Sequence, residues 1–128
     1  MVLIAQLAGA LFGLFAVVLG AFGAHVLKKT FTQEQLASFE TGVKYQMYHA
    51  VVLLMLSFNL NLDTSLEKNM VYCFLIGTLL FSFSIYGLCL SAAKGRKMKF
   101  LGPITPLGGI LLVSGWTLLF YFFIQNFV

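Results

Sequence analysis

The sequence predicts an all-α integral membrane protein with four transmembrane helices and a short amphipathic interfacial helix between the first and the second. Three observations lead to this prediction. First, 60% of the 128 residues are hydrophobic and only 9% are charged, whereas soluble domains carry about 25% charged residues. Second, the apolar residues form four runs of roughly the 20 residues that a membrane-spanning helix needs. Third, the charged residues concentrate in the three connections between those runs.

The first run, residues 2–24, is predicted to be a retained membrane span. A cleaved signal peptide is the alternative, but it needs a basic start and small residues before the cleavage site. Residues 1–10 carry no charged side chain, and Phe22 stands where cleavage after Ala24 would require a small residue. The basic residues Lys28 and Lys29 follow, and they are expected to end this span at the inner membrane surface.

Residues 32–41 are predicted to form the interfacial helix. Apolar residues recur near helical spacing from Phe31 to Val43, with polar residues between them. Thr32 is followed three residues later by Gln35, which is the arrangement of a capping box at a helix start. The alternatives are a plain solvated loop and a helix that continues directly into the second span.

The remaining spans are predicted at about residues 43–62, 70–93 and 104–127, which makes residues 1–128 a single four-helix transmembrane domain. The second span is the least uniform, because Lys44 and other polar residues occupy its first two turns. Its centre, AVVLLMLSFNL, is apolar. The third and fourth spans are apolar through most of their length.

The distribution of Lys and Arg predicts the orientation in the cell membrane. The first and third connections are the basic ones, and Lys and Arg in short loops remain cytoplasmic. Both connections are therefore predicted to be cytoplasmic and both termini extracytoplasmic. The third connection carries no acidic residue, and its cations are expected to contact lipid headgroups, with a role in topology alone as the alternative. These cations are Lys94, Arg96, Lys97 and Lys99.

Polar residues in the cytoplasmic half of the predicted bundle are candidates for a polar cluster or ligand site. Most lie within about 15 Å of the inner boundary at 1.5 Å per helical residue, and polar side chains at such depths face the bundle interior and find partners. The candidates are His25, Glu40, Tyr45, His49, Ser82, Tyr86 and Thr105. His49 has three interpretations: a structural bond to Tyr86 or Ser82, a ligand or proton role, and a metal ligand. A metal site needs three or four ligands and the chain has two histidines, so no metal site is predicted.

Small residues in the spans are predicted to let helices pack closely. Gly9 and Gly13 form a G-x-x-x-G pair, which can pack within one chain or between the copies of a homo-oligomer. Trp116 lies near the middle of the last span, away from the interfacial belt where Trp is usual, and is expected to pack inside the bundle. The predicted packing residues are Gly9, Gly13, Gly20, Gly23, Gly108, Gly109, Gly115 and Trp116.

Several classes of function have no support in the sequence. The basic residues are few and have no aromatic recognition surface beside them, so nucleic-acid binding is not expected. Ser-His-Asp sets, P-loops, zinc motifs and paired carboxylates are missing, and no cofactor is expected. Cys73 and Cys89 are 16 residues apart in one apolar run. On a helix that separation is about 24 Å, which is too long for a disulfide, so they are predicted to be free thiols.

Four motifs in order resemble the YgdD/YwdK family: GAFGAHVLK, TGVKYQMYHAVVLL, GTLLFSFSIY and ITPLGGILLVSGW. These are small bacterial inner-membrane proteins of uncharacterised function, with a human transmembrane protein among their relatives. The resemblance covers almost the whole chain and implies a four-helix membrane protein without an established activity. By position, the family signature falls on Gly20, Gly23, His25, Lys28, Tyr45, His49, Gly77, Phe81, Thr105, Pro106, Gly108, Gly109, Gly115 and Trp116.

Three classes of function stay open. The first is a non-enzymatic membrane protein that is accessory to another complex or to the envelope, which the small size and short loops favour. The second is a binder or conduit for a lipid or another small molecule that uses the polar cluster. The third is a membrane enzyme with His25 or His49 as the base, and only Glu40 is available to orient one of them. The expected partners are membrane lipids, a second copy of the chain or an unidentified membrane protein.

Overall fold

The computed structural model describes residues 1–127 of the chain. Its α-helices are α1 (Val2–His25), α2 (Gln33–Asn59), α3 (Ser65–Thr78), α4 (Ser84–Ala93) and α5 (Ile104–Phe127). A π-helical turn, Leu79–Phe83, joins α3 directly to α4. Ser65–Ala93 is therefore one continuous helical rod, and the described chain contains four long helices. Two 3₁₀ turns, Leu27–Lys29 and Lys99–Leu101, lie in the connections before α2 and α5.

Helices α1 and α2 form a closely packed antiparallel pair. A Cβ atom added to Gly9 would lie 2.9 Å from the carbonyl oxygen of Ala50, and one added to Gly23 would lie 3.0 Å from the ring of Phe39. Real Cβ atoms are essentially never found 2.9 Å from another heavy atom, and they are rarely found at 3.0 Å. Glycine at these two positions therefore lets the helices approach each other closely.

Helix α5 packs antiparallel to the rod of α3 and α4 in the same way. A Cβ atom on Gly108 would collide with the backbone nitrogen of Phe81, in the π-helical turn, and would lie 2.8 Å from its Cα atom. One on Gly115 would lie 2.9 Å from the ring of Phe74. The wide turn is thus the place where the backbone of α5 lies directly on the backbone of the rod.

Two helices begin with capping boxes, which satisfy amides that have no partner inside the helix. At the start of α2, Thr32 Oγ1 accepts from Gln35 N at 3.1 Å and Gln35 Oε1 accepts from Thr32 N at 3.0 Å, as the sequence predicts. At the start of α3, Thr64 and Glu67 make the same reciprocal pair. The connection of α4 to α5 begins differently, with Gly95 directly after the C-cap of α4 at a φ of 76°.

The buried apolar side chains form two clusters. The larger joins α1, α2, α3 and α5, and includes Phe12, Leu53, Leu62 and Phe74. The smaller lies at the other end of the bundle, around Phe39, where α2 meets α4 and the first connection. We call this second end the basic end, because six of the eight Lys and Arg residues are in its two connections.

The predicted fold of four transmembrane helices with a separate short interfacial helix is wrong. Gln33–Asn59 is a single unbroken helix, so the segment at about 32–41 is the first part of α2. The capping box starts this helix, and Gly42 lies inside it. A Cβ atom at Gly42 would lie 2.8 Å from the ring of Tyr86, so the glycine leaves space for that ring.

The number of membrane spans is also corrected. Three helical segments are long and apolar enough to cross a membrane: Val2–Lys29, Ser65–Ala93 and Lys99–Phe127. Helix α2 is not among them, since Glu40, Lys44 and other polar residues are spread along its first half. It is instead packed against α1 and the rod through a face that carries buried polar groups.

Candidate functional site

The buried polar side chains join different helices through three separate sets of hydrogen bonds, which we together call the polar network. The sets are formed by Gln46 with Tyr86, by Ser82, and by Ser84 with Thr105. Gln46 is at the centre of the polar network and has no exposed surface. Its Nε2 atom donates to the carbonyl oxygen of Phe12 at 2.8 Å, and its Oε1 atom accepts from the hydroxyl of Tyr86 at 2.7 Å. One amide therefore ties α2 to both α1 and α4.

Two serines extend the polar network beside the π-helical turn. Ser82 Oγ donates to the carbonyl oxygen of Gly42 at 2.7 Å, which joins the rod to α2. Ser84 Oγ lies 2.6 Å from Thr105 Oγ1, which joins the rod to the start of α5. Every buried side-chain nitrogen or oxygen in residues 1–127 has a hydrogen-bond partner, so the polar residues of the interior pair with one another or with the backbone.

His49 lies apart from this network and pairs with Trp116. The indole Nε1 atom of Trp116 donates to His49 Nε2 at 3.2 Å, and His49 Nδ1 lies 2.7 Å from the carbonyl oxygen of Tyr45. An indole N–H can only donate and a carbonyl can only accept. His49 Nε2 is therefore the unprotonated nitrogen, and Nδ1 carries the proton. The imidazole is neutral with both nitrogens in use, and it stacks against Phe74 with ring centroids 5.7 Å apart.

The structure brings together some of the residues that the sequence singled out and separates others. Ser82, Tyr86 and Thr105 are in the polar network, but His49 bonds neither Ser82 nor Tyr86, the partners expected for it. Tyr45 is 41% exposed and places its ring 4.7 Å from that of Phe81.

The predicted residues at the basic end are on the surface. His25 and Glu40 are both exposed and outside the network, so the pair that an enzyme would need is not assembled. The four cations of the third connection are exposed as well: Lys94, Arg96, Lys97 and Lys99. Cys73 and Cys89 are free thiols, as predicted. Within the described part of the chain, no group of three His, Cys, Asp or Glu residues is placed to hold a metal ion.

The predicted packing residues divide into two groups. Gly9, Gly23, Gly108 and Gly115 sit where an added Cβ atom would meet a neighbour at 3.0 Å or less. Gly13, Gly20 and Gly109 have room, since their nearest neighbours are 4.0, 3.4 and 3.9 Å away. Trp116 was expected inside the bundle but is 48% exposed. Its N–H edge points inward to the acceptor on His49, and its ring lies 5.5 Å from that of the buried Phe74.

Gln46, at the centre of the polar network, is not among the candidates that the sequence singled out. Phe39, Gly42, Gln46, His49 and Leu53 follow one another at intervals of three or four residues, and all five are buried. This spacing marks one face of a helix. A polar residue in line with that face is the signal that identifies Gln46 as an interior group.

Two adjoining hollows open beside these residues. The side groove, of about 650 Å³, lies between α2 and α5 and is lined by Tyr45, His49, Phe81, Pro106, Gly109, Ile110, Leu112, Val113, Ser114 and Trp116. The end hollow, of about 760 Å³, lies at the basic end and is lined by Thr32, Glu34, Gln35, Ser38, Thr41, Ile85, Leu88, Cys89, Ala92, Lys97, Gly102, Thr105 and Pro106. Pro106 is common to both.

Comparison with known proteins finds one family model and several related membrane proteins. Residues 19–109 match the family model described as "Protein of unknown function (DUF423)". A "UPF0382 membrane protein" of Haemophilus influenzae is 38% identical over 112 residues, which cover 88% of this chain and 86% of the relative. The "UPF0382 inner membrane protein YgdD" of Escherichia coli is 38% identical over 111 residues, which cover 86% of this chain and 81% of the relative. No solved structure matches the chain.

Proposed function

The chain belongs to the DUF423 family of membrane proteins, and from that premise we propose that it is a non-catalytic integral membrane protein that supports another component of the membrane or envelope. The observation that carries this proposal is the use of its interior polar groups. Gln46, Tyr86 and Ser82 make hydrogen bonds that join helices. Groups committed to such bonds hold the bundle together and are not free to act on a substrate.

The pairing of His49 with Trp116 supports the same proposal. Protonation of His49 at Nε2 would place an N–H group opposite the indole N–H, and two donors repel each other. A proton relay through this side chain would have to break the pair at every step. The geometry therefore favours a structural role for His49, in which it anchors α5 to α2.

The orientation belongs to this proposal as well. The start of α2 and the end of α4 meet at the basic end, where Cys89 Sγ donates to the carbonyl oxygen of Gln35 at 3.4 Å. The two basic connections are thus neighbours in space. Since loops rich in Lys and Arg remain cytoplasmic, the basic end is expected to face the cytoplasm. Labelling the connections from each side of the membrane distinguishes this arrangement from its inverse.

Native mass spectrometry tests the accessory role. We expect the chain, extracted from its own membrane at native abundance, to carry a second polypeptide at one fixed stoichiometry in each of two mild detergents. A different small membrane protein from the same membrane, extracted in parallel, serves as the control and should not carry that polypeptide. Recovery of the chain alone, or only with copies of itself, in both detergents would contradict the proposal.

Binding of a lipid or another small molecule is the second candidate function. The observation that favours it is the side groove, where Tyr45 and Trp116 are partly exposed and the lining is mostly apolar. Binding sites are usually concave and mostly apolar, with a few polar groups that fix the orientation of the ligand. The side groove has this character, and it adjoins the end hollow.

A further inference from the structure

The two hollows differ in chemistry in the way that the two parts of a lipid differ. Tyr45, Phe81, Ile110 and Trp116 give the side groove an aromatic and aliphatic lining. The end hollow adds hydroxyl, amide and charged side chains to an aliphatic lining. Because Pro106 lines both, one amphipathic molecule can occupy them together, with its apolar part between α2 and α5.

The length of the side groove matches one leaflet of a bilayer. Its lining on α5 runs from Pro106 to Trp116. Ten residues of helix rise about 15 Å, which is half of the roughly 30 Å thickness of the hydrocarbon core. An acyl chain that enters from the basic end would therefore lie in the groove as far as the middle of the bilayer.

The charges of the end hollow select the headgroup. Lys97 provides one ammonium group and Glu34 one carboxylate, with the hydroxyls of Thr32, Ser38 and Thr105 beside them. A headgroup that carries both a phosphate and a primary ammonium complements this pair, with the phosphate toward Lys97 and the ammonium toward Glu34. A quaternary ammonium has no N–H to donate to a carboxylate, and an anionic headgroup without an amine leaves Glu34 unpaired beside added negative charge.

We propose that the side groove and the end hollow together bind one phospholipid with an aminoethyl phosphate headgroup, in the leaflet next to the basic end. This proposal rests on the second candidate function and adds the class of ligand to it. The headgroup provides the specificity through charge-assisted hydrogen bonds. The acyl chain provides contact area along α5 and holds the lipid beside His49 and Trp116.

The experiment is a competition among three lipids with the full chain. The purified protein is placed in nanodiscs that contain equal amounts of phosphatidylethanolamine, phosphatidylcholine and phosphatidylglycerol with the same acyl chains. Native mass spectrometry then counts the lipids retained on the released protein. We expect one phosphatidylethanolamine per chain, in preference to the other two lipids.

Two charge variants test how the headgroup is recognised. Glu34→Gln should lower the ratio of bound phosphatidylethanolamine to bound phosphatidylcholine by about tenfold, as the loss of one charge-assisted hydrogen bond predicts. Lys97→Gln should lower the retention of all three lipids, because each carries the phosphate. Both side chains are exposed. Glu34→Gln removes an acid from the first turn of α2 and should lower the stability only slightly, so both variants are expected to stay folded.

A third variant tests the groove itself. A Cβ atom at Gly109 would meet only the ring of Phe81, at 3.9 Å, so that Gly109→Leu adds bulk to the groove without breaking the seam between α5 and the rod. We expect this variant to fold and to lose the bound lipid. The control is Ala10→Leu, which places a leucine on an exposed face of α1 and should keep the lipid.

The outcomes distinguish the location of the lipid site from its preference for a headgroup. Loss of the lipid in Gly109→Leu but not in Ala10→Leu, with phosphatidylethanolamine preferred, supports both the site and the headgroup. A lipid that depends on Gly109 but has no preference among the headgroups overturns the headgroup assignment and leaves the binding function. Retention that is equal in Gly109→Leu and Ala10→Leu overturns the site, and with it the second candidate function.

Discussion

The connections at the two ends of the bundle adopt the same uncommon backbone conformation with very different residues. Leu62, between α2 and α3, has a φ of 56°, and Gly95, between α4 and α5, has a φ of 76°. This region costs an ordinary residue about 1–2 kcal/mol, whereas glycine enters it readily. Leu62 has no exposed surface and packs in the larger cluster, but a Cβ atom on Gly95 would meet nothing within 4 Å.

The two connections therefore differ in packing: the one that contains Leu62 is part of the core, and the one that contains Gly95 is not. At the end that contains Leu62, which we call the sealed end, Glu67 Oε2 accepts from Asp63 N, Thr64 N and Thr64 Oγ1 at 2.9–3.0 Å. The connection is fixed, and its leucine closes the core at the expense of backbone strain. At the basic end, Gly95 completes a helix C-terminus in which Arg96 N donates to the carbonyl oxygen of Ser91, the pattern of a Schellman motif. The basic side chains of this connection are exposed.

Labelling from the two sides of the membrane tests whether the ends face different compartments, and the expected effect is all or none. In a chain with both cysteines replaced by alanine, Asp63→Cys marks the sealed end and Lys97→Cys marks the basic end. An impermeant maleimide should label Asp63→Cys in intact bacterial cells. It should label Lys97→Cys only after the inner membrane is opened, because the loops rich in Lys and Arg remain inside.

Both cysteine variants must react after solubilisation in detergent, which controls for access to the thiol. The reverse pattern would mean that the basic end faces outward. Equal labelling of both variants in intact cells would mean that the two connections lie on the same side of the membrane. The two ends would then not face different compartments.

Truncation of Leu62 is expected to have the largest effect on stability. Leu62→Ala keeps the backbone strain and removes a fully buried side chain, so the free energy of unfolding should fall by about 2–4 kcal/mol. Leu62→Gly removes the same contacts but relieves the strain. It should therefore be no less stable than Leu62→Ala, which is the opposite of the usual order of these residues. Denaturation in dodecylmaltoside, followed by circular dichroism, measures both.

The neighbour Asn61 provides the control for this comparison. Its side chain is exposed, so Asn61→Ala should change the free energy of unfolding by no more than about 0.5 kcal/mol. If Leu62→Ala were as mild as Asn61→Ala, the packing of Leu62 would not seal this end. If Leu62→Gly were clearly the weaker of the two Leu62 variants, the backbone at this position would not be strained.

The elements that could be predicted from sequence are those that depend on local properties. The apolar runs and the start of α2 at Thr32 follow from residues that are close together in the chain. The separate interfacial helix was wrong, because the helical spacing of Phe39, Gly42 and Gln46 continues across the predicted boundary. Gly42 lies inside α2, where the ring of Tyr86 occupies the space of a side chain.

The contacts of the candidate site were harder to predict, because the residues that pair with each other are far apart in the sequence. His49 and Trp116 are separated by 67 positions, and their contact depends on how α5 is rotated and shifted against α2. The polarity of His49 predicts that it needs a partner, and the indole of Trp116 needs an acceptor. Polarity does not specify that these two satisfy each other. Similarly, Leu62 could not be predicted at positive φ, since only tertiary packing stabilises leucine there.

Substitution of Gly95 is expected to have the smallest effect on stability. Gly95→Ala adds a side chain that meets no neighbour, so that its cost is the conformational penalty alone, about 1 kcal/mol. Gly95→Asn should cost less, because asparagine tolerates this region better than alanine does. Backbone strain is then nearly the same in Gly95→Ala as in native Leu62, and the two sites differ only in packing. If Gly95→Ala reduced the free energy of unfolding as much as Leu62→Ala, the basic end would be closed by contacts of its own.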